Sequence, residues 1–221
     1  DKPERVKQYA AWALAILAGP QVDAEKAALA RKSAMEAAKA LYDAVMEAVV
    51  EVRRTGAEGN DLISRLIRAE YEGRKLDDHE ITTFVRSLLP AAGETTTRTF
   101  GSLMVLLLER PELLERVRND RSLVGKAIDE AVRFEPVATF KVRQAAEDIE
   151  LAGMQIPKGA MVQCIVASAN RDEEVFENSE TFDIDRKLKP SFGFGFGPHM
   201  CIGQFIAKTE LQVALNAVLD L

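Results

Sequence analysis

Phe194-Gly195-Phe196-Gly197-Pro198-His199-Met200-Cys201-Ile202-Gly203 decides how this chain is read. Glycines at 195, 197 and 203, broken by aromatic residues, describe a backbone that bends tightly and lies close to something flat. Cys201 follows just where the pattern turns helical, in Gln204-Phe205-Ile206-Ala207-Lys208-Thr209-Glu210-Leu211. A helix start carries unpaired N–H groups and the positive end of a dipole, which favour a thiolate over a thiol.

Several kinds of site place a cysteine beside glycines. Structural zinc takes about four Cys or His ligands, whereas the chain holds only Cys164, Cys201, His79 and His199. A dinucleotide loop needs a strand upstream and Gly-x-Gly-x-x-Gly spacing. Gly195-Phe196-Gly197-Pro198-His199-Met200 breaks that spacing, and Leu188-Lys189-Pro190-Ser191 is a poor strand. Two readings remain from these residues alone. One is a buried structural cysteine beside a tight turn, the commoner fate of an isolated Cys. The other is an axial ligand to haem iron, which needs one strong protein ligand.

Asp77 with Glu80 three residues on forms a capping-box-like start, and Pro111 a stop, for a long apolar-rich helix. Some 30 residues of helix extend ~45 Å, enough to cross a domain. In its middle sits Ala91-Ala92-Gly93-Glu94-Thr95-Thr96. Small residues in a helix ordinarily mean close packing, and a threonine run competes with the regular ladder. An acid and an alcohol beside such a distortion can also deliver protons to a buried reactant. Further on, Glu130-Ala131-Val132-Arg133 lies in a helix expected over residues 122–134 and closed by Pro136. Glu and Arg at i and i+3 share a face, and the default is a surface pair worth a few tenths of a kcal/mol.

Taken in order, these segments resemble the cytochromes P-450. Phe194, Gly197, Cys201 and Gly203 match the family's Phe-x-x-Gly-x-x-x-Cys-x-Gly, and the stretch also fits the longer Phe-Gly-x-Gly-x-His-x-Cys-x-Gly of its bacterial, soluble branch. The resemblance implies haem b, with Cys201 as the axial thiolate on iron and His199 donating to a propionate. Gly195 belongs to the same loop, residues 191–203. Arg143 aligns with an arginine that meets the second propionate. Ala91 and Ala92 take the small-residue places against the haem, although Ala92 stands where glycine is common. Glu94 becomes the acid and Thr95 the alcohol of a proton relay serving oxygen activation, on a helix spanning 78–109. Glu130 and Arg133 occupy the place of a buried Glu-x-x-Arg pair that supports the haem site structurally. Asn170-Arg171-Asp172, Phe176 and Phe182-Asp183-Ile184-Asp185-Arg186 look like the family's meander.

The fold implied is mainly α with a small β part, a partial P-450 domain over residues 1–221. Residues 1–54 look like the helices forming the lid over the substrate pocket, and the segments the family places before them are expected to be missing, as is its C-terminal hairpin. The activity implied is a haem-thiolate monooxygenase that inserts one oxygen atom from O2 into a small apolar organic substrate. Leu88, Leu89 and residues 137–140 suggest an apolar pocket. A ferredoxin-type or flavin reductase would supply electrons, since the chain shows no flavin or nicotinamide motif. Alternatives are a haem-deficient, non-catalytic fragment and a peroxide-driven peroxygenase; such peroxygenases often lose the acid–alcohol pair present here.

Composition is consistent with that family. A net charge of −6 over 221 residues gives no basic excess for nucleic acid or anionic membrane. Two cysteines in unlike contexts suit a reducing, cytoplasmic compartment. Cys164, in Met161-Val162-Gln163-Cys164-Ile165-Val166, reads as core packing. The longest apolar run, Ala10 to Ala18, is too short to span a bilayer, which takes ~20 residues. Elsewhere helix dominates. Asp23 starts a segment with Ala34, Ala38, Leu41, Val45, Val49 and Val52 at helical spacing, and Asn60 caps a helix expected over 61–71. Ile149 and Leu151 alternate like a strand, and Pro157-Lys158-Gly159 turns into the strand at Met161.

Overall fold

The computed structural model describes residues 3–19, 21–187 and 189–221; Leu188, at the head of the poor-strand segment, lies outside them. The order is α1 (Pro3–Leu17), α2 (Ala24–Arg54), α3 (Leu62–Arg68), β1 (Glu70–Tyr71), β2 (Arg74–Lys75), α4 (Asp78–Leu108), α5 (Pro111–Asn119), α6 (Val124–Phe134), β3 (Phe140–Gln144), β4 (Ile149–Leu151), β5 (Met154–Ile156), β6 (Met161–Ile165), α7 (Val166–Ala169) and α8 (Gln204–Leu219). Two 3-10 turns, Arg121–Leu123 and Gly197–His199, precede α6 and α8. The described residues are mostly helical, with three two-stranded antiparallel ribbons among them, β1–β2, β3–β6 and β4–β5. It divides into two compact units, residues 1–94 and 95–221.

In the first unit Asp23 caps α2 by accepting the Lys26 N–H at 2.9 Å. The stripe Ala37, Leu41, Val45 and Val49 is buried, and packs with Ile67 of α3 and Ile81 of α4 in one cluster. Four-residue spacing puts those side chains on one face, so burial follows periodicity. The expected helix over 61–71 is shorter and starts differently. Asp61, not Asn60, is its cap, accepting from Ser64 N at 3.0 Å and Ser64 Oγ at 2.7 Å. After Arg68 the chain extends and turns back through Glu72 (φ 51°) and Gly73 (φ 76°) into β2. Two successive left-handed residues make the tight turn that suits a hairpin, and this ends the helix early.

α4 is 31 residues long. Its capping box closes as the sequence predicts: Glu80 N–H donates to Asp77 Oδ1 at 2.8 Å and Asp77 N–H to Glu80 Oε2 at 3.0 Å. Pro111 does not itself end α4, which stops at Leu108; it occupies the first turn of α5, where its missing N–H costs nothing.

The second unit is organised around Leu103 and Leu107 of α4, Val117 of α5, Ile128 and Ala131 of α6, and Leu211, Leu215 and Leu219 of α8, all in one buried cluster. Phe182 and Ile184 of the irregular 170–187 segment complete it. Cys164 is a correction. It is exposed on β6, opposite Lys141, because the β3–β6 ribbon has no second layer over that face among the described residues.

Candidate functional site

Glu130 and Arg133 form the buried base of the site, with side chains only 6% and 3% exposed. Arg133 donates from Nε and Nη2 to the two Glu130 oxygens at 2.8 and 2.6 Å. Its remaining donors reach the carbonyls of Asn170 (2.8 Å), Ser179 (2.9 Å) and Thr181 (3.1 Å). Glu130 Oε1 also accepts the Asp183 N–H at 3.0 Å and Arg186 Nε at 3.1 Å. One ion pair thus gathers an irregular segment that has no ladder of its own. The sequence default, a surface pair, does not hold; the pair is buried as the family resemblance implies.

From that base two contacts reach the cysteine loop. Asn170 is fully buried; its Nδ2 donates to the Arg133 carbonyl at 3.1 Å and its Oδ1 accepts the Phe192 N–H at 2.7 Å. At Gly193 the backbone comes so close to α6 that a Cβ would collide with the Val132 side chain and lie 2.7 Å from its carbonyl oxygen. The loop then curls on itself. Gly195 N–H donates to Phe192 O at 2.9 Å, Met200 N–H to Gly197 O at 3.0 Å and Cys201 N–H to Phe194 O at 2.8 Å. Gly195 and Gly197 have φ of 79° and 71°, conformations that a side chain resists.

Cys201 emerges from this scaffold exposed, two residues before Gly203, the N-cap of α8. The sulfur is not packed in hydrocarbon, which removes the buried-structural-cysteine reading. Phe196, Ile202, Phe205 and Ile206 flank it in sequence and are each at least 66% exposed. His199 closes the 3-10 turn before it and is exposed too. Among the described residues no three His, Cys, Asp or Glu side chains gather to hold a bare metal ion. An exposed thiol with exposed apolar residues beside it in sequence, and no cluster of metal donors among the described residues, suits an iron that arrives already held by four porphyrin nitrogens, so the donor set fits haem.

The other expected residues are placed as follows. Arg143 is exposed on β3, and its Nη1 donates to the Val142 carbonyl at 3.0 Å. Ala91, Ala92, Glu94 and Thr95 lie within little more than one turn of α4, which passes from the first unit to the second between Glu94 and Thr95. The helix is perturbed there in two ways. Pro90 removes a ladder donor, and Thr99 Oγ1 donates back to the Thr95 carbonyl at 2.9 Å.

A cleft of about 420 Å³ that sequence reasoning missed opens beside the loop. Val132, Phe176, Ile184 and Phe194 are among its apolar lining, and Lys126, Lys187, Lys189 and Lys208 bring positive charge. Lys208 Nζ meets Asp129 Oδ1 at 2.7 Å. The cleft's lining comes from α6, from residues 176, 183–187 and 189–191, from the loop and from α8, so no local pattern marks it.

With this geometry the comparisons with known proteins agree. The family model for cytochrome P450 matches residues 21–221. Cytochrome P450 107B1 of Saccharopolyspora erythraea is 33% identical over 217 residues, covering 98% of this chain and 51% of its own. Cyclomarin C epoxidase CymV of Salinispora arenicola is 38% identical over 168 residues, 76% of this chain and 42% of its own. Among solved structures, substrate-free CYP109E1 of Bacillus megaterium superposes with a TM-score of 0.91 at 33% identity, covering 99% of this chain and 57% of its own. The chain spans about half the length of the curated relatives it matches. No described helix is long and apolar enough to cross a membrane. The chain belongs to the cytochrome P450 family.

Proposed function

We propose that this chain carries the haem-thiolate part of a cytoplasmic monooxygenase that inserts one oxygen atom of O2 into a small apolar organic substrate. The observation that carries the proposal is the presentation of Cys201: an exposed thiol, backbone-anchored to Phe194, on a loop tied through Gly193 and Asn170 to the helix of a buried ion pair. Haem b, ligated by one thiolate that pushes electron density toward iron, supplies the oxygen chemistry.

The chain's residues then take distinct parts. Cys201 would hold the haem iron through its thiolate. Phe194, Gly195, Gly197 and Gly203 shape the loop that aims it. His199 and Arg143 would bind the haem propionates, and Ala91 and Ala92 would leave room for the haem. Glu94 and the Thr95 hydroxyl hold and pass protons. Residues 1–54 serve as the lid, 78–109 as the oxygen-activating helix, 122–134 as the support and 191–203 as the ligand loop. Relatives bear on the substrate class: structures of CYP109E1 contain corticosterone and testosterone, and CymV is an epoxidase of cyclomarin C. The two steroids are in keeping with the apolar pocket proposed around Leu88 and Leu89 of α4.

Electrons come from a ferredoxin-type or flavin reductase partner, and the lysines of the cleft give an acidic donor a surface to meet. The deciding experiment is Cys201→Ser in the haem-loaded enzyme. The expected result is a ferrous–carbon monoxide Soret band without the red shift of thiolate ligation. A band that keeps that shift removes Cys201 from its role.

A further inference from the structure

Lys208 joins three parts of the second unit that are remote in sequence. Its backbone belongs to α8, its Nζ lies 2.7 Å from Asp129 Oδ1 on α6, and the same Nζ stands 5.6 Å from the centroid of the Phe194 ring. Both charged side chains are about one-third exposed, at 34% and 33%, so water screens the pair only in part. The ammonium is therefore anchored by a carboxylate on one side while its charge faces the aromatic ring on the other. Such a cation is drawn to the ring's negative face.

Phe194 is not an ordinary aromatic neighbour. Its carbonyl accepts the Cys201 N–H at 2.8 Å, so the residue whose ring Lys208 covers is the one that holds the cysteine backbone. Beyond that bond the segment from Gly195 to Met200 is held by short-range turns and contacts with its immediate neighbours: Gly195 to Phe192, Met200 to Gly197, the Phe196 ring edge-on to Phe192 at 6.2 Å, and Gln204 Nε2 on Met200 Sδ at 3.2 Å. Fixing Phe194 from outside the loop removes freedom that those turns do not.

We propose that Lys208, anchored by Asp129, is a positioning residue for Cys201, acting through Phe194 to set the direction in which the sulfur is presented to iron. This rests on Cys201 being the iron ligand. The role is a new one for both residues: neither belongs to the cysteine loop or to the buried Glu130–Arg133 pair.

The test uses the haem-loaded enzyme with Lys208→Met, Lys208→Arg and Asp129→Asn. The readout is the ferrous–carbon monoxide spectrum, followed as the red-shifted band converts to the form without thiolate ligation, well below the melting temperature. Lys208→Met keeps the apolar stem and should speed that conversion about fivefold, the factor that a lost cation–π contact of ~1 kcal/mol gives. Lys208→Arg should restore the rate, since its guanidinium also pairs with a carboxylate and covers a ring. Asp129→Asn should fall between, because the cation stays but loses its anchor. A purely structural contribution would lower the melting temperature and leave this conversion unchanged. If Lys208→Met does not retain haem, Asp129→Asn decides the matter alone.

A conversion rate in Lys208→Met equal to that of the parent overturns the proposal, as does an Arg variant no better than Met. Cys201→Ser separates this inference from the one beneath it. If that variant keeps the red-shifted band, the ligand assignment has failed; if it loses the band while Lys208→Met behaves as the parent, only the positioning role has failed. Turnover is not the readout, because Lys208 also lines the cleft where an electron donor would meet the protein.

Discussion

Arg133 and Glu130 exchange two hydrogen bonds, at 2.8 and 2.6 Å, and neither side chain is more than 6% exposed. Removing one member leaves the other charged and desolvated, which costs more than the pair contributes when intact. Arg133→Ala is therefore expected to lower unfolding free energy by about 3–5 kcal/mol. Arg133→Lys should recover little of it, since one ammonium cannot serve Glu130 and the carbonyls of Asn170, Ser179 and Thr181 together. Urea unfolding followed by circular dichroism measures both. A Lys variant as stable as the parent would show that the carbonyl contacts are dispensable.

The second contact between support and loop can be tested sterically. A β-carbon at Gly193 would meet both the Val132 side chain and its backbone carbonyl. Gly193→Ala should destabilise by about 1–3 kcal/mol, the usual cost of overpacking. Trimming the neighbour with Val132→Ala relieves the side-chain clash and leaves the carbonyl clash. The double variant should thus be more stable than the sum of the single losses predicts, without returning to the parent value. Strict additivity would place the strain elsewhere.

How much of this was visible beforehand depends on how local each signal is. Cys201, its glycines and the Asp77–Glu80 box are short patterns whose chemistry is complete within a few residues, and the structure keeps that box intact. The spacing of Glu130 and Arg133 says only that they share a helix face. Their burial comes from Asn170, Ser179, Thr181 and Asp183, which fold over them from a segment with almost no regular structure. The β1–β2 hairpin escapes a periodicity argument because each strand is two residues long. Cys164 misleads for the opposite reason. An apolar run reads as core, but an antiparallel ribbon of two strands exposes what a larger sheet would cover. Lys208 and Asp129 look like two solvated charges until α6 and α8 pack side by side.

The start of α4 should give the first unit a measurable acid sensitivity. The Asp77 N–H donated to Glu80, and then the Arg74 guanidinium beside it, hold the Glu80 carboxyl below the usual glutamate range. A group whose folded pKa is depressed adds stability above its unfolded value, near 4.3, and that stability disappears as pH falls through the folded value. Glu80→Gln keeps the shape and the acceptor but not the charge. The stability difference between parent and variant should accordingly be present at neutral pH, shrink below pH ~4.3 and vanish in stronger acid. Urea midpoints across a pH series provide the measurement. A difference that is constant with pH would mean that packing, not charge, distinguishes the two side chains.

Thr95 offers the sharpest test of the chemistry. Its carbonyl is engaged by the Thr99 hydroxyl at 2.9 Å, one turn after Pro90 has already thinned the ladder, so this part of α4 is held by side chains as well as by backbone. If the Thr95 hydroxyl passes protons during oxygen activation, Thr95→Ala removes the proton path and leaves the ligand loop untouched. Haem content and the ferrous–carbon monoxide band of the loaded enzyme should match the parent. The fraction of reducing equivalents appearing as hydrogen peroxide should rise at the expense of product, with coupling falling by the ~10²–10⁴ that general acid–base groups ordinarily contribute, or by less if water takes over the relay. Thr95→Ser retains the hydroxyl and should restore coupling. Peroxide yield per NAD(P)H consumed is the measured quantity, and an Ala variant as well coupled as the parent would move the relay away from this residue.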